Sequence, residues 1–316
     1  MMIGNGMAGV RTLEELLKLS NELYDITVFG AEPHTNYNRI LLSPVLAGEQ
    51  TFEEIVLNDL SWYLDNNIKL LLNRKVVEID RVKRRVIAED GSEAEYDRLL
   101  IATGSTPFIL PIPGNTLEGV IGYRDIADTQ AMINTAKTHK HAVVIGGGLL
   151  GLEAANGLKL RGMDVTVVHL GEWLLERQLD KTSGQLLQTA LENRGLKFRL
   201  SEQTQALHDA GNGRVGSVQF KNGDIIPADL VVMAAGIRPN TELAEKNPAS
   251  RATAGSWSTT RCKPTTRAST PLVNAPATVA PPTAWWRRCS NRPRSAPTTS
   301  RNWASPLTRV RSPRPS

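Results

Sequence analysis

The sequence predicts an α/β protein with two parallel-sheet domains, the second inserted in the first. Three observations predict it. Two glycine loops, Gly4-x-Gly6-x-x-Gly9 and Gly146-Gly147-Gly148-Leu149-Leu150-Gly151, each open a helical stretch followed by a strand-like one. Two apolar strands with glycine exits, in residues 96–107 and 228–240, flank the second loop. A change of composition near residue 246 marks where this pattern ends. The two loop units read as Rossmann-like dinucleotide-binding domains, because a glycine-rich turn lets the backbone approach a pyrophosphate at a helix N-terminus.

The first unit begins at the N-terminus. Only Met1 to Ile3 precede the glycines, so its first strand is short. Val10, Leu13, Leu16, Leu17 and Leu19 have helical spacing. "YDITVFGAE" alternates and is β-branched, which predicts a strand ending near Glu32. A carboxylate at that place accepts bonds from a ribose.

The second unit is the stronger match. Strand His141–Ile145 leads into the triple glycine, a helix runs to about Leu160, Gly162 breaks it, and strand Asp164–His169 follows. His169 stands where an acid would favour NAD, Glu172 lies three residues on, and no arginine directly follows to favour NADP. The balance tips toward NADH. "YDRLLIATGSTP" and "ADLVVMAAGIRPN" repeat one design, an apolar strand leaving through glycine, at Thr103-Gly104 and at Gly236. Such paired exits suit a domain inserted in another. The expected boundaries are 1–109, 110–236 and a return segment 237–246.

Composition separates body from tail. Residues 247–316 hold 12 of the 37 basic residues and none of the 32 acidic ones, so the body is net −7 and the tail +12. Both cysteines, Cys262 and Cys289, lie in the tail. A cysteine-free body excludes a CxxC redox pair, a thiolate nucleophile and a cysteine-held metal there. No apolar run reaches the roughly 20 residues of a membrane span, and no signal peptide is visible. A soluble, cytoplasmic protein with no bound metal is expected.

The order of motifs resembles the two-dinucleotide flavoprotein reductases. More narrowly, "IGNGMAGVRTLEELL", "EPHTNYNRILLSPVLAGE" and "ERQLD" resemble the flavin-bearing N-terminal part of the large subunit of assimilatory NAD(P)H nitrite reductases, over about residues 3–246. The resemblance implies an oxidoreductase with FAD in the first domain and NAD(P)H in the second. It assigns Gly4, Gly6, Met7, Ala8, Gly9 and Glu32 to FAD, with Arg39 and Ser43 along the flavin, Val77 near the adenine, and Thr103 and Gly104 closing over it. It assigns Gly146, Gly148, Leu149, Leu150, Gly151 and Glu153 to the nicotinamide nucleotide, with Glu172 and Gly236 at its margins. Related ferredoxin reductases carry a lysine after the serine, and here Pro44 stands instead. No side chain has to act as a nucleophile, since the cofactors carry the redox chemistry. Electrons would leave to iron–sulfur and sirohaem modules, which this chain lacks, or to a small redox protein. A stand-alone ferredoxin or rubredoxin reductase is the alternative, and a homodimer is left open.

Plainer readings stand beside these. Arg39 could be an ion-pair residue, Ser43-Pro44 a helix boundary, His169 an ordinary strand end, and Trp62 and Tyr63 packing. The tail has three readings: a basic nucleic-acid-binding segment, a disordered one, or the out-of-frame translation of the segment that should complete the flavin site. The third is preferred. Codons compatible with residues 256–272, read one base earlier, spell a credible strand, turn and strand, and the single tryptophan codon at Trp257, Trp285 and Trp286 constrains the shift. No specific nucleic-acid partner is therefore expected, the tail is expected to lack order, and a truncated noncatalytic product is the competing outcome.

Overall fold

A computed structural model describes residues 1–19, 22–245 and 269–271. Its centre is a pair of five-stranded parallel sheets. The first runs in the order Ser269–Pro271, Leu99–Ile101, Met2–Ile3, Ile26–Phe29, Ile68–Leu71. The second runs Val120–Ile121, Leu230–Met233, His141–Ile145, Asp164–His169, Lys197–Leu200.

Strands buried on both faces need apolar side chains throughout. The central strand His141–Ile145 meets that demand: Val143 and Ile145 join one core cluster, while Ala142 and Val144 join the other. Helices Met7–Leu19 and Leu149–Leu160 follow the central strands Met2–Ile3 and His141–Ile145 of the two sheets. Of the apolar positions predicted to face the core, Val10 and Leu13 are buried, while Leu19 is 85% exposed at the helix end. The predicted bounds of both strands and the helix in the second unit are reproduced.

Each sheet carries a three-stranded antiparallel ribbon, built from residues 76–95 and 204–227 respectively. A further ribbon joins the halves: Ser105–Pro107 pairs antiparallel with Ile237–Pro239. Thr103 and Asn240 lock its base by two reciprocal bonds of 2.9 Å, and Asn240 N–H donates to the Gly104 carbonyl at 3.0 Å. Strand Ser269–Pro271 pairs with Leu99–Ile101 and extends the first sheet at its edge. That is the described part of the tail; the expectations for its remainder, with Cys262 and Cys289, lie outside the described residues.

The halves meet through helix Leu42–Ala47, which packs into the same core cluster as Ala154 and Leu158 of helix Leu149–Leu160. Arg161 ends that second helix and donates to the Leu46 carbonyl from Nε at 2.8 Å and to the Val45 carbonyl at 3.0 Å. Leu46 O is a terminal helix carbonyl that the helix itself leaves without a donor, whereas Val45 O also accepts from the capping Gly48 N–H at 3.0 Å. Replacing Arg161 with Met should therefore cost about 2 kcal/mol, the order expected when a buried acceptor, here Leu46 O, is left unpaired. Urea unfolding of R161M against the parent checks it.

Candidate functional site

Both glycine loops lie where a strand hands over to a helix, at the carboxyl edge of a sheet. Their geometries repeat. Gly4 has φ +101°, and a Cβ there would lie 2.1 Å from the Ala102 carbonyl oxygen. Gly146 has φ +132°, and its Cβ would lie 2.4 Å from the Ala234 oxygen. The third glycines differ in degree: a Cβ on Gly151 would clash with Gly146 O at 2.0 Å, while one on Gly9 would be crowded by Gly4 O at 3.0 Å. The middle glycines differ. At Gly6 and Gly148 a Cβ would meet nothing within 4 Å. Gly4, Gly146 and Gly151 are thus required by the protein's own backbone, Gly9 is crowded, and the middle glycines border open space.

Two helix N-termini face those spaces. Neither helix has an acidic residue in its first turn, and Gly148 offers no side chain to cap the second. The positive end of each helix dipole is left for an anion. Met7, Ala8 and Gly9 form the first turn of one helix, Leu149, Leu150 and Gly151 that of the other. Leu149 is 62% exposed, an apolar residue lying open beside the loop. Gly236, just past strand Leu230–Met233, also borders open space. These open cradles fit the pyrophosphate of a dinucleotide at both loops.

Glu32 follows strand Ile26–Phe29 as expected, but its carboxylate is engaged. Tyr37 OH donates to Oε2 at 2.7 Å, and Arg39 pairs with Oε1. Arg39 also donates to the Arg124 carbonyl at 3.0 Å and lies over the Tyr37 ring at 5.0 Å. Burial pushes the Tyr37 phenol above its ordinary range, with Arg39 opposing and the Glu32 bond adding to the rise. Arg39 thus sits in an ion pair, in a half-buried cluster beside the first loop. Val77 lies in strand Val76–Asp80, half-buried.

Ser43 and Glu153 come together from opposite halves, 110 residues apart in sequence. Ser43 Oγ donates to Glu153 Oε2 at 2.7 Å, and Tyr123 OH donates to Ser43 Oγ at 3.2 Å. Tyr123 is 2% exposed, and burial raises its phenol to about 12, so it stays a donor. The chain Tyr123–Ser43–Glu153 fixes one carboxylate oxygen and leaves the other to accept a further bond. Glu172 faces solvent and pairs with Lys181 at 3.1 Å. Trp62 and Tyr63 are packing residues, edge to face at 4.9 Å, with Tyr63 OH bonded to Asn5 at 2.8 Å. Sequence reading missed Tyr37, Tyr123 and Asn240. Each is a lone polar residue whose partner is set by the tertiary fold.

Residues 1–298 match the family described as Pyridine nucleotide-disulphide oxidoreductase. The chain belongs to that family. Among its relatives, the nitrite reductase [NAD(P)H] of Bacillus subtilis is 53% identical over 246 residues, covering 78% of this chain and 30% of that protein. The assimilatory nitrate reductase electron transfer subunit of the same organism is 49% identical, covering 77% and 31%. A solved NAD-dependent persulfide reductase from A. fulgidus superposes with a TM-score of 0.77 at 28% identity, covering 85% of this chain and 52% of that one. The chain thus spans about a third of the length of these curated relatives. The disulphide in the family's description has no counterpart in residues 1–246, which contain no cysteine. No helix among the described residues is long and apolar enough to cross a membrane.

The loop geometry separates two kinds of glycine substitution. Gly6→Ala should leave the melting of the nucleotide-free protein nearly unchanged yet weaken any dinucleotide bound at the first loop about tenfold or more, since its methyl enters the open cradle. Gly4→Ala should instead destabilise the nucleotide-free protein, by roughly 1–3 kcal/mol, through backbone strain and overpacking. Thermal melts with and without FAD distinguish the two.

Proposed function

We propose that this chain is the electron-input part of an NAD(P)H-dependent flavoprotein oxidoreductase serving nitrite reduction. FAD is assigned to the first loop, within residues 1–109 and 237–246. The nicotinamide nucleotide, NADH by preference, is assigned to the second loop, within residues 110–236. The observation that carries the reading is the Ser43–Glu153 bond, because it links a residue expected along the flavin to one expected at the nicotinamide. The kinship with a nitrite reductase and with a nitrate reductase electron transfer subunit supports the substrate class.

Bound at the second and first loops respectively, the nicotinamide would supply a hydride and FAD would supply an acceptor able to release electrons singly. The protein's task is alignment and exclusion of water. The two helix N-termini neutralise pyrophosphate charge. The Thr103–Asn240 bonds hold the crossover between the halves beside the first loop. Ser43, held by Tyr123, orients Glu153, so a shift of that carboxylate would misalign whatever it touches. Electrons then pass to a downstream redox module or a small carrier protein.

Purified protein reconstituted with FAD and mixed anaerobically with NADH should lose its flavin absorbance. A protein that stays colourless after reconstitution, or is not bleached by NADH or NADPH, overturns the reading. Ser43→Ala should slow that bleaching about tenfold at unchanged FAD content, as expected when a positioned group loses its orienting bond. Transfer of electrons to ferredoxin or rubredoxin alone would favour a stand-alone reductase instead.

A further inference from the structure

The strand that follows a dinucleotide loop and its helix ends where the adenosine ribose is read. Here that strand ends in His169, not an acid. The imidazole lies against the second glycine loop: a Cβ on Gly147 would fall 2.7 Å from His169 Cγ. The Gly147 N–H donates to His169 Nδ1 at 3.2 Å. A nitrogen that accepts carries no proton, so the neutral ring keeps its proton on Nε2. Nε2 is buried and has no hydrogen-bond partner.

The nearest complement is Glu176, whose Oε2 lies 4.0 Å from Nε2, with the Glu176 side chain 44% exposed. Gly171 keeps the gap between them clear. A Cβ there would fall 2.1 Å from Glu176 Oε2 and 2.8 Å from His169 Nε2. Glu176 is delivered by a loop tied back to the glycine turn. Leu174 is fully buried, and the Leu175 N–H donates to the Gly147 carbonyl at 3.0 Å. Gly147, His169, Gly171 and Glu176 therefore form one assembly around the second loop.

We infer that Glu176 is the residue that selects the nicotinamide nucleotide, accepting the adenosine ribose hydroxyls and rejecting a 2′-phosphate, with His169 as its positioning residue. This rests on the second loop holding that nucleotide. A ribose hydroxyl can donate to the half-exposed Glu176 carboxylate, while His169 Nε2 stays buried beside that carboxylate. A phosphate monoester dianion offers acceptors only, and beside Glu176 it meets like charge. Glu172, three residues past the strand, is turned to Lys181 instead. The selecting acid has moved four residues further along the chain.

The test is equilibrium binding of ADP-ribose and of its 2′-phosphate to the FAD-loaded full chain, by titration calorimetry. The parent should prefer ADP-ribose. Glu176→Gln should narrow the preference about tenfold or more, chiefly by tightening the 2′-phosphate. Gly171→Ala, which places a methyl between the two side chains, should narrow it too, and provides a second variant should the first fold poorly. Binding of neither probe to the parent overturns the two-nucleotide reading itself. Binding of both with no preference, a preference for the 2′-phosphate, or a ratio unmoved in both variants overturns the role of Glu176 alone.

Discussion

Two backbone carbonyls govern this architecture. Ala102 O and Ala234 O each end a strand beside a glycine loop and occupy the volume that a side chain on Gly4 or Gly146 would need. The loop can turn sharply under its neighbouring strand only because those positions are bare. That turn brings the next helix N-terminus to the carboxyl edge of the sheet. Everything able to hold an anion there, and the open space beside Gly6 and Gly148, follows from this contact.

Around that constraint the chain builds the same device twice and then fastens the copies. The fastening is uneven. The ribbon of Ser105–Pro107 with Ile237–Pro239 carries the crossover, while helix Leu42–Ala47 reaches into the core of the other half. Arg161 ties the end of that helix at Leu46 and Val45, and Ser43 ties its start to Glu153. A six-residue helix is too short to be stable by itself. It persists here because both its ends and its buried face are held by the opposite half.

The fold was legible where its causes are local. Glycine spacing, β-branched strands and helical periodicity lie within a few residues of one another, so the elements of the second unit could be read to their ends. The site was legible in its backbone and less so in its side chains. Glu32 was placed by counting from the loop, but its ties to Tyr37 and Arg39 depend on how the following segment folds back. Ser43 and Glu153 were each singled out, yet their meeting across 110 residues is a product of domain docking that no pattern in the chain encodes. Glu176 was visible within "ERQLD", though its approach to His169 needs a glycine whose emptiness shows only in three dimensions.

The near identity of the two loops bears on how such a chain can diverge. Gly4 and Gly6 repeat the steric pattern of Gly146 and Gly148, so a pyrophosphate would find a similar grip in either place. The glycines cannot tell one adenine dinucleotide from another. That discrimination has to be written in the flanks, in the Glu32 cluster on one side and the His169 corner on the other. A lineage could therefore exchange the ligand of one half by altering a handful of flanking residues, leaving the inherited scaffold and its folding untouched.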